Sequence, residues 1–230
     1  EWVEGITLRQ WMYDNPKPSL KQVRDILDKI TQGIRVLQRA DMVHRDLKPE
    51  NIMIQRDGEI KIIDLGAVLV RGIEEGSKSE QDSVPLGAVN YIAPETIKHN
   101  TATTSSDLFS IAVIGYEMLT GELPYSEMSA QSLKQSRHHQ WEYQSLTQKR
   151  TDIPAWVDLV LQKACAESPS ERHQVLGDFV ADLYTPNQSL VKSKAKQPLI
   201  NRNPIQFWKV LALLLGIIAI VELGLLLNPS

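Results

Sequence analysis

The stretch VHRDLKPENIMI, Val43 to Ile54, sets a cluster of charges between two short apolar runs that read as strands. Pro49 stands where no helix could continue, because its ring removes a backbone N–H. An Asp, a Lys and an Asn therefore share one short loop. Before it, Leu20, Val23, Ile26, Leu27, Ile30, Ile34 and Leu37 recur at three- and four-residue steps, which predicts an amphipathic helix over 19–40 with Ser19 at its cap. After it, Ile52–Ile54 and Ile60–Ile63 flank Gln55-Arg56-Asp57-Gly58-Glu59, whose Asp-Gly step supplies the turn of a hairpin. The loop leads from a helix into a hairpin.

Beyond Ile63 the chain is rich in Gly, Ser and Glu without periodicity, and reads as loop to about Pro94. A structureless stretch of that length is usually functional or disordered. Asp107–Leu119 is apolar nearly all round, which predicts a buried central helix, with Ser106 and Gly121 as start and stop signals. Two amphipathic helices are expected over 155–166 and 175–183. From Tyr184 to Pro204 the composition turns to Pro, Asn, Gln and Lys, which reads as a linker. Val210–Leu227 is apolar apart from Glu222, which predicts a helix crossing a bilayer. Lys192, Lys194, Lys196, Arg202 and Lys209 precede that span and no basic residue follows it. The positive-inside rule then puts the preceding domain in the cytoplasm and the short tail outside.

With 230 residues, 42% of them hydrophobic and 23% charged, the chain has globular composition. Its net charge of -3 gives no electrostatic reason to expect nucleic acid as a partner. The lone Cys165 excludes an internal disulfide, fits a reducing compartment and suits buried packing. The chain opens at Glu1 with no Met and no leader, so a fragment without a signal peptide is expected.

Three motifs occur in order: His44-Arg45-Asp46-Leu47-Lys48-Pro49-Glu50-Asn51, then Asp64-Leu65-Gly66, then Ala93-Pro94-Glu95. On these residues the chain resembles the eukaryotic-type (Hanks-type) protein kinases over roughly Glu1 to Leu183. The resemblance implies a mainly α fold, the large C-terminal lobe of a kinase with a small β-hairpin. The architecture expected on that resemblance lacks the N-terminal lobe and adds one C-terminal transmembrane helix. The expected divisions are a kinase lobe with its hinge over 1–184, a juxtamembrane linker over 185–204 and a transmembrane helix over 205–228.

By that resemblance, Asp46 orients a substrate hydroxyl and accepts its proton, while Lys48 neutralises the transferring phosphoryl group and favours Ser/Thr over Tyr substrates. Asn51 and Asp64 hold Mg²⁺, with Mn²⁺ as the other candidate, against the phosphates of ATP. Glu95 and Arg172 form a buried scaffolding pair. Asp107 either accepts backbone hydrogen bonds from the loop at 44–51 or compensates the start of its helix. His44 packs beneath the loop. Arg45 is the cation that would answer phosphorylation in the following segment, where Ser77, Ser79 and Ser83 are the candidates.

Several family features depart or are missing. No G-x-G-x-x-G loop and no V-A-I-K strand occur, so the chain as written is expected to turn over little alone. Leu65 stands where a Phe is usual, and Ala88 where Ser/Thr kinases commonly carry a Thr. The lobe, linker and final helix beginning Arg202-Asn203-Pro204 resemble bacterial bifunctional chains with a PP2C-type phosphatase domain ahead of the kinase. The partners implied are a protein substrate and a lipid bilayer. The alternative left open is a membrane-tethered pseudokinase or interaction module that keeps the fold without turnover.

Overall fold

The computed structural model describes residues 3–70, 88–126, 141–196 and 204–227. They fall into two compact units, Glu1–Pro186 and Asn187–Ser230. The first is mainly helical and is organised around helix α2 (Leu20–Arg39) and helix α4 (Thr104–Thr120).

α2 begins as its sequence demands. The Gln22 backbone N–H donates to Ser19 Oγ at 3.3 Å while the Ser19 N–H donates to Gln22 Oε1 at 2.9 Å, a reciprocal cap. Its apolar stripe buries Val23, Leu27, Ile30 and Ile34. Against it lies α4, whose residues from Ser106 to Tyr116 are all buried, as an all-round apolar helix requires. Gly115 permits the approach of the two helices, since a Cβ there would meet Leu27 Cδ1 at 2.9 Å. The start of α4 corrects the sequence reading. Thr103 is the cap, and Ser106 lies inside the first turn, its Oγ accepting the Thr103 N–H at 3.0 Å. Gly121 ends the helix at φ 73°, a left-handed conformation in which a Cβ would be strained.

The hairpin is β3 (Ile52–Ile54) paired antiparallel with β4 (Ile60–Ile62), in the register Ile52↔Ile62, Met53↔Lys61 and Ile54↔Ile60. A third strand, β1 (Ile6–Thr7), adds to its edge with Ile6 opposite Ile54. A second ribbon pairs β2 (Met42–Val43) with β5 (Leu69–Val70). β2 falls on the apolar run ahead of the charged loop, whereas β1 and β5 were not expected, each having only two residues, too few for alternation to show. Helix α1 (Leu8–Asp14), capped by Thr7, lies beside this sheet. Helix α3 (Pro94–His99) precedes α4, and α5 (Ala155–Ala164) and α6 (Leu176–Tyr184) complete the first unit close to their expected bounds.

In the second unit, the expected linker contains a helix, α7 (Gln188–Lys196), where Ser189, Leu190, Ala195 and the lysines are compatible with helix although they offer little to bury. The last helix, α8, runs from Pro204 to Leu227. Among the described residues no helix is long and apolar enough to cross a membrane. On α8 the described side chains cover only 207–220, and Leu213, Leu215, Ile218 and Ile220 are exposed.

Candidate active site

The ribbon β2–β5 and the hairpin β3–β4 hold the loop from His44 to Asn51 between them. Asp107, on the first turn of α4, grips its entry: the His44 N–H donates to Oδ2 at 2.9 Å and the Arg45 N–H to Oδ1 at 3.1 Å. Of the two readings of Asp107, the backbone-accepting one describes these contacts, and its place in the first turn satisfies the other as well. Burial pushes this carboxyl up to about 6 against the pull of those two N–H groups, so it is ionised at neutral pH. The grip has a structural purpose. Arg45 sits at φ 73°, a left-handed conformation that costs a non-glycine residue on the order of 1 kcal/mol. His44 is fully buried, its Nδ1 accepts the Asp46 N–H at 3.3 Å, and burial pushes its pKa below the ordinary value. It is a neutral prop beneath the loop.

Asp46 then stands on a fixed carboxylate. Its Oδ2 accepts from Lys48 Nζ at 2.7 Å and from Asn51 Nδ2 at 2.9 Å, and Asn51 Nδ2 also donates to the Asp46 backbone O at 2.8 Å. Asn51 is buried, whereas the Lys48 and Asp46 side chains remain 19% and 25% exposed. The amide nitrogen of Asn51 is committed to Asp46, so its carbonyl oxygen is the atom able to face a cation.

The hairpin places Asp64 at the same end as Asn51, because the Ile63 N–H donates to Asn51 O at 2.9 Å just beyond the Ile52↔Ile62 pair. Asp64 lies at φ 60°, its Oδ1 accepts the Gly66 N–H at 3.3 Å, and it is exposed. Among the described residues no cluster of three or more His, Cys, Asp or Glu could hold a metal. Two hard oxygen donors suit Mg²⁺ in the manner of sites where phosphate and water complete the coordination.

Behind the loop, Arg172 and Glu95 make a buried double bridge, Nη1 to Oε1 at 2.9 Å and Nη2 to Oε2 at 2.7 Å. The remaining guanidinium N–H groups donate to the carbonyls of Ala166, Ser105 and Glu167, and the guanidinium carbon lies 4.8 Å from the Phe109 ring centroid. Burial pushes the Glu95 carboxyl up, but Arg172 and the Ser106 hydroxyl outweigh it and hold the pKa below the ordinary value. Cys165 is buried, and burial pushes its thiol up, away from reactivity.

Of the remaining expectations, Leu65 is 54% exposed. Ser77, Ser79 and Ser83 and the side chains of Ala88 and Glu222 lie outside the described residues. Arg9, Tyr91 and Glu117, which no motif marks in the sequence, meet Glu50 in one hydrogen-bonded group beside the loop. Glu50 lies within the quoted loop and was the available signal.

A mainly helical lobe whose buried carboxylate grips a loop carrying Asp, Lys and Asn, next to a hairpin ending in Asp, defines the kinase class. The protein kinase domain family matches residues 1–185, and the chain belongs to that family. It is 32% identical over 185 residues to the serine/threonine-protein kinase PrkC of Bacillus subtilis, covering 80% of this chain and 28% of that protein. It is 28% identical over 185 residues to the probable serine/threonine-protein kinase PknB of Lactococcus lactis, covering 80% of this chain and 29% of that protein. With the serine/threonine-protein kinase PknL of Mycobacterium tuberculosis the identity is 31% over 198 residues, covering 86% of this chain and 49% of that protein. The chain thus spans less than half the length of these curated relatives.

Proposed function

We propose that the protein transfers the γ-phosphate of ATP to Ser or Thr hydroxyls of protein substrates. The observation that carries this reading is the convergence of Lys48 and Asn51 on one oxygen of Asp46 at 2.7 and 2.9 Å. Asp46 orients the hydroxyl and takes its proton as the oxygen attacks phosphorus. Lys48 turns its ammonium toward the transferring phosphoryl group, whose loose, charge-spread transition state is stabilised mainly by countercharge and positioning. Asn51 and Asp64 would hold Mg²⁺, which when bound neutralises phosphate charge. Glu95, Arg172, Asp107 and His44 keep the loop in place, and Arg45 answers phosphorylation at Ser77, Ser79 or Ser83.

We further propose a kinase domain over 1–184, a linker over 185–204 and a membrane anchor over 205–228, with the kinase facing the cytoplasm. An uninterrupted apolar run from Val210 to Val221, the exposed leucines and isoleucines of α8 and the basic residues ahead of it support the anchor. A PP2C-type phosphatase domain earlier in the same polypeptide completes the proposal. The test is transfer of ³²P from labelled ATP to a mixed protein substrate by the full-length protein with Mg²⁺, compared with Asp46→Asn. Wild-type transfer lost in the variant is the expected result, and equal labelling would defeat the reading. Alkaline-carbonate extraction of membranes tests the anchor separately, since an anchored chain stays in the pellet.

A further inference from the structure

One guanidinium beside the catalytic loop joins four segments of chain. Arg9, on α1, donates from Nε to Glu50 Oε1 at 2.7 Å, from Nη1 to Glu117 Oε1 at 2.7 Å and from Nη2 to the Tyr91 hydroxyl at 2.5 Å. The Tyr91 hydroxyl in turn donates to Glu117 Oε2 at 2.6 Å, and the guanidinium carbon lies 6.0 Å from the Tyr91 ring centroid. Glu50 is the residue between Pro49 and Asn51, so whatever holds it also holds the Asn51 amide that orients Asp46. Tyr91 belongs to the segment 88–93 that leads into α3. That segment is tied to the core by its carbonyls, Tyr91 O accepting from Ser110 Oγ at 2.6 Å and Asn90 O from the Tyr125 hydroxyl at 2.7 Å.

The two other structural arginines differ from this one. Arg172 and Arg150 are buried and spend most of their N–H groups on backbone carbonyls or a neighbouring acid. Arg9 remains 39% exposed, and all three of its bonds go to side chains from other segments. The three bonds leave from three separate nitrogens of one planar fork, whereas the three N–H donors of an ammonium radiate from a single atom. Burial works against the charge on Arg9, but the two carboxylates more than compensate and raise its pKa above the ordinary value. Tyr91 is pushed up by burial and by Glu117, and stays protonated to donate.

We propose that Arg9 is a positioning residue for phosphoryl transfer, its fork setting the catalytic loop, through Glu50, against the segment 88–93 through Tyr91. This rests on the kinase reading above. Placement errors of an ångström at a reacting centre cost about a hundredfold. Arg9→Ala leaves two carboxylates and a hydroxyl around a gap the size of a guanidinium group, and free guanidinium ion is the probe that refills it.

The experiment measures steady-state phosphorylation by full-length wild type, Arg9→Ala and Arg9→Lys, with and without guanidinium chloride at millimolar concentration, together with thermal melts. Arg9→Ala is expected to lower kcat/KM for the protein substrate about tenfold or more while KM for ATP stays put. Guanidinium should return much of that loss in Arg9→Ala alone, and Arg9→Lys should remain impaired because one nitrogen cannot stand at the three donor positions of the fork. Wild-type kinetics in Arg9→Ala overturn the inference and leave the kinase reading standing. So does a loss that guanidinium fails to relieve, whether or not the melting temperature falls, since it marks a merely structural tie. A wild type that transfers no phosphate defeats the kinase reading and the inference together.

Discussion

Two acid–cation pairs in this molecule have the same closest approach, 2.7 Å, and opposite surroundings. Arg172 is 0% and Glu95 10% exposed at the side chain, and every guanidinium N–H has an acceptor. Lys48 and Asp46 are 19% and 25% exposed at the side chain. The saturated pair has no capacity for a new partner, and its planar fork fixes the geometry of both chain segments it joins. The open pair puts a compact ammonium on a flexible stem, free to swing from a carboxylate to a phosphate without rearranging the backbone. Distance alone therefore does not separate scaffold from chemistry. What separates them is whether the donors are already spent.

The comparison breaks if the two pairs respond alike to mutation. Asp46→Asn, which keeps shape and removes the proposed base, should lower kcat by about a hundredfold to ten-thousandfold, measured by ³²P transfer, with an unchanged urea midpoint. Arg172→Met should do the reverse. It strands the Glu95 carboxylate in the core and should cost about 3–5 kcal/mol, read as a lowered urea midpoint. Adding Glu95→Leu to that variant removes the stranded charge and should recover much of the loss. If Asp46→Asn unfolds the protein, or Arg172→Met melts like wild type, the assignment of the two pairs is reversed.

The elements that were legible in the sequence are those whose signal is local and repeated. Leu20 to Leu37 showed a helix because an amphipathic stripe recurs over five turns, and Asp57-Gly58 showed a hairpin because few residues accept that turn. At the site, Asp46, Lys48, Asn51 and Asp64 were legible from their order, with fixed spacing inside the first motif. Arg9 was not, because its partners lie at Glu50, Tyr91 and Glu117, in segments that only the tertiary fold brings together. β5 was missed for the same reason: a two-residue strand carries no pattern, and its pairing of Val70 with Met42 is a long-range fact. The helix over 188–196 was missed because its lysines and serines allow a helix without requiring one.

The smallest expected effect uses pH to compare two carboxylates, both buried and both hydrogen-bonded. Glu95 has a lowered pKa, so its stabilisation is present above the unfolded value and is lost as pH falls through the folded one. Asp107 has the opposite sign. Burial puts its folded pKa at about 6 against an ordinary value of 3.8, so between those limits the folded state holds a proton that the unfolded state has released. Folding stability from this group is then greatest below the lower limit and falls by roughly 3 kcal/mol at most as pH rises to the upper one. Asp107→Asn cannot titrate. Measured by urea midpoints at steps from pH 4 to 6.5, its stability relative to wild type should therefore improve with rising pH and level off above the folded value. A constant difference across that range would mean that the N–H groups of His44 and Arg45 fully offset burial. The carboxylate would then grip the strained Arg45 at no electrostatic cost, and the distinction between saturated and open acids would extend to one whose only donors are backbone.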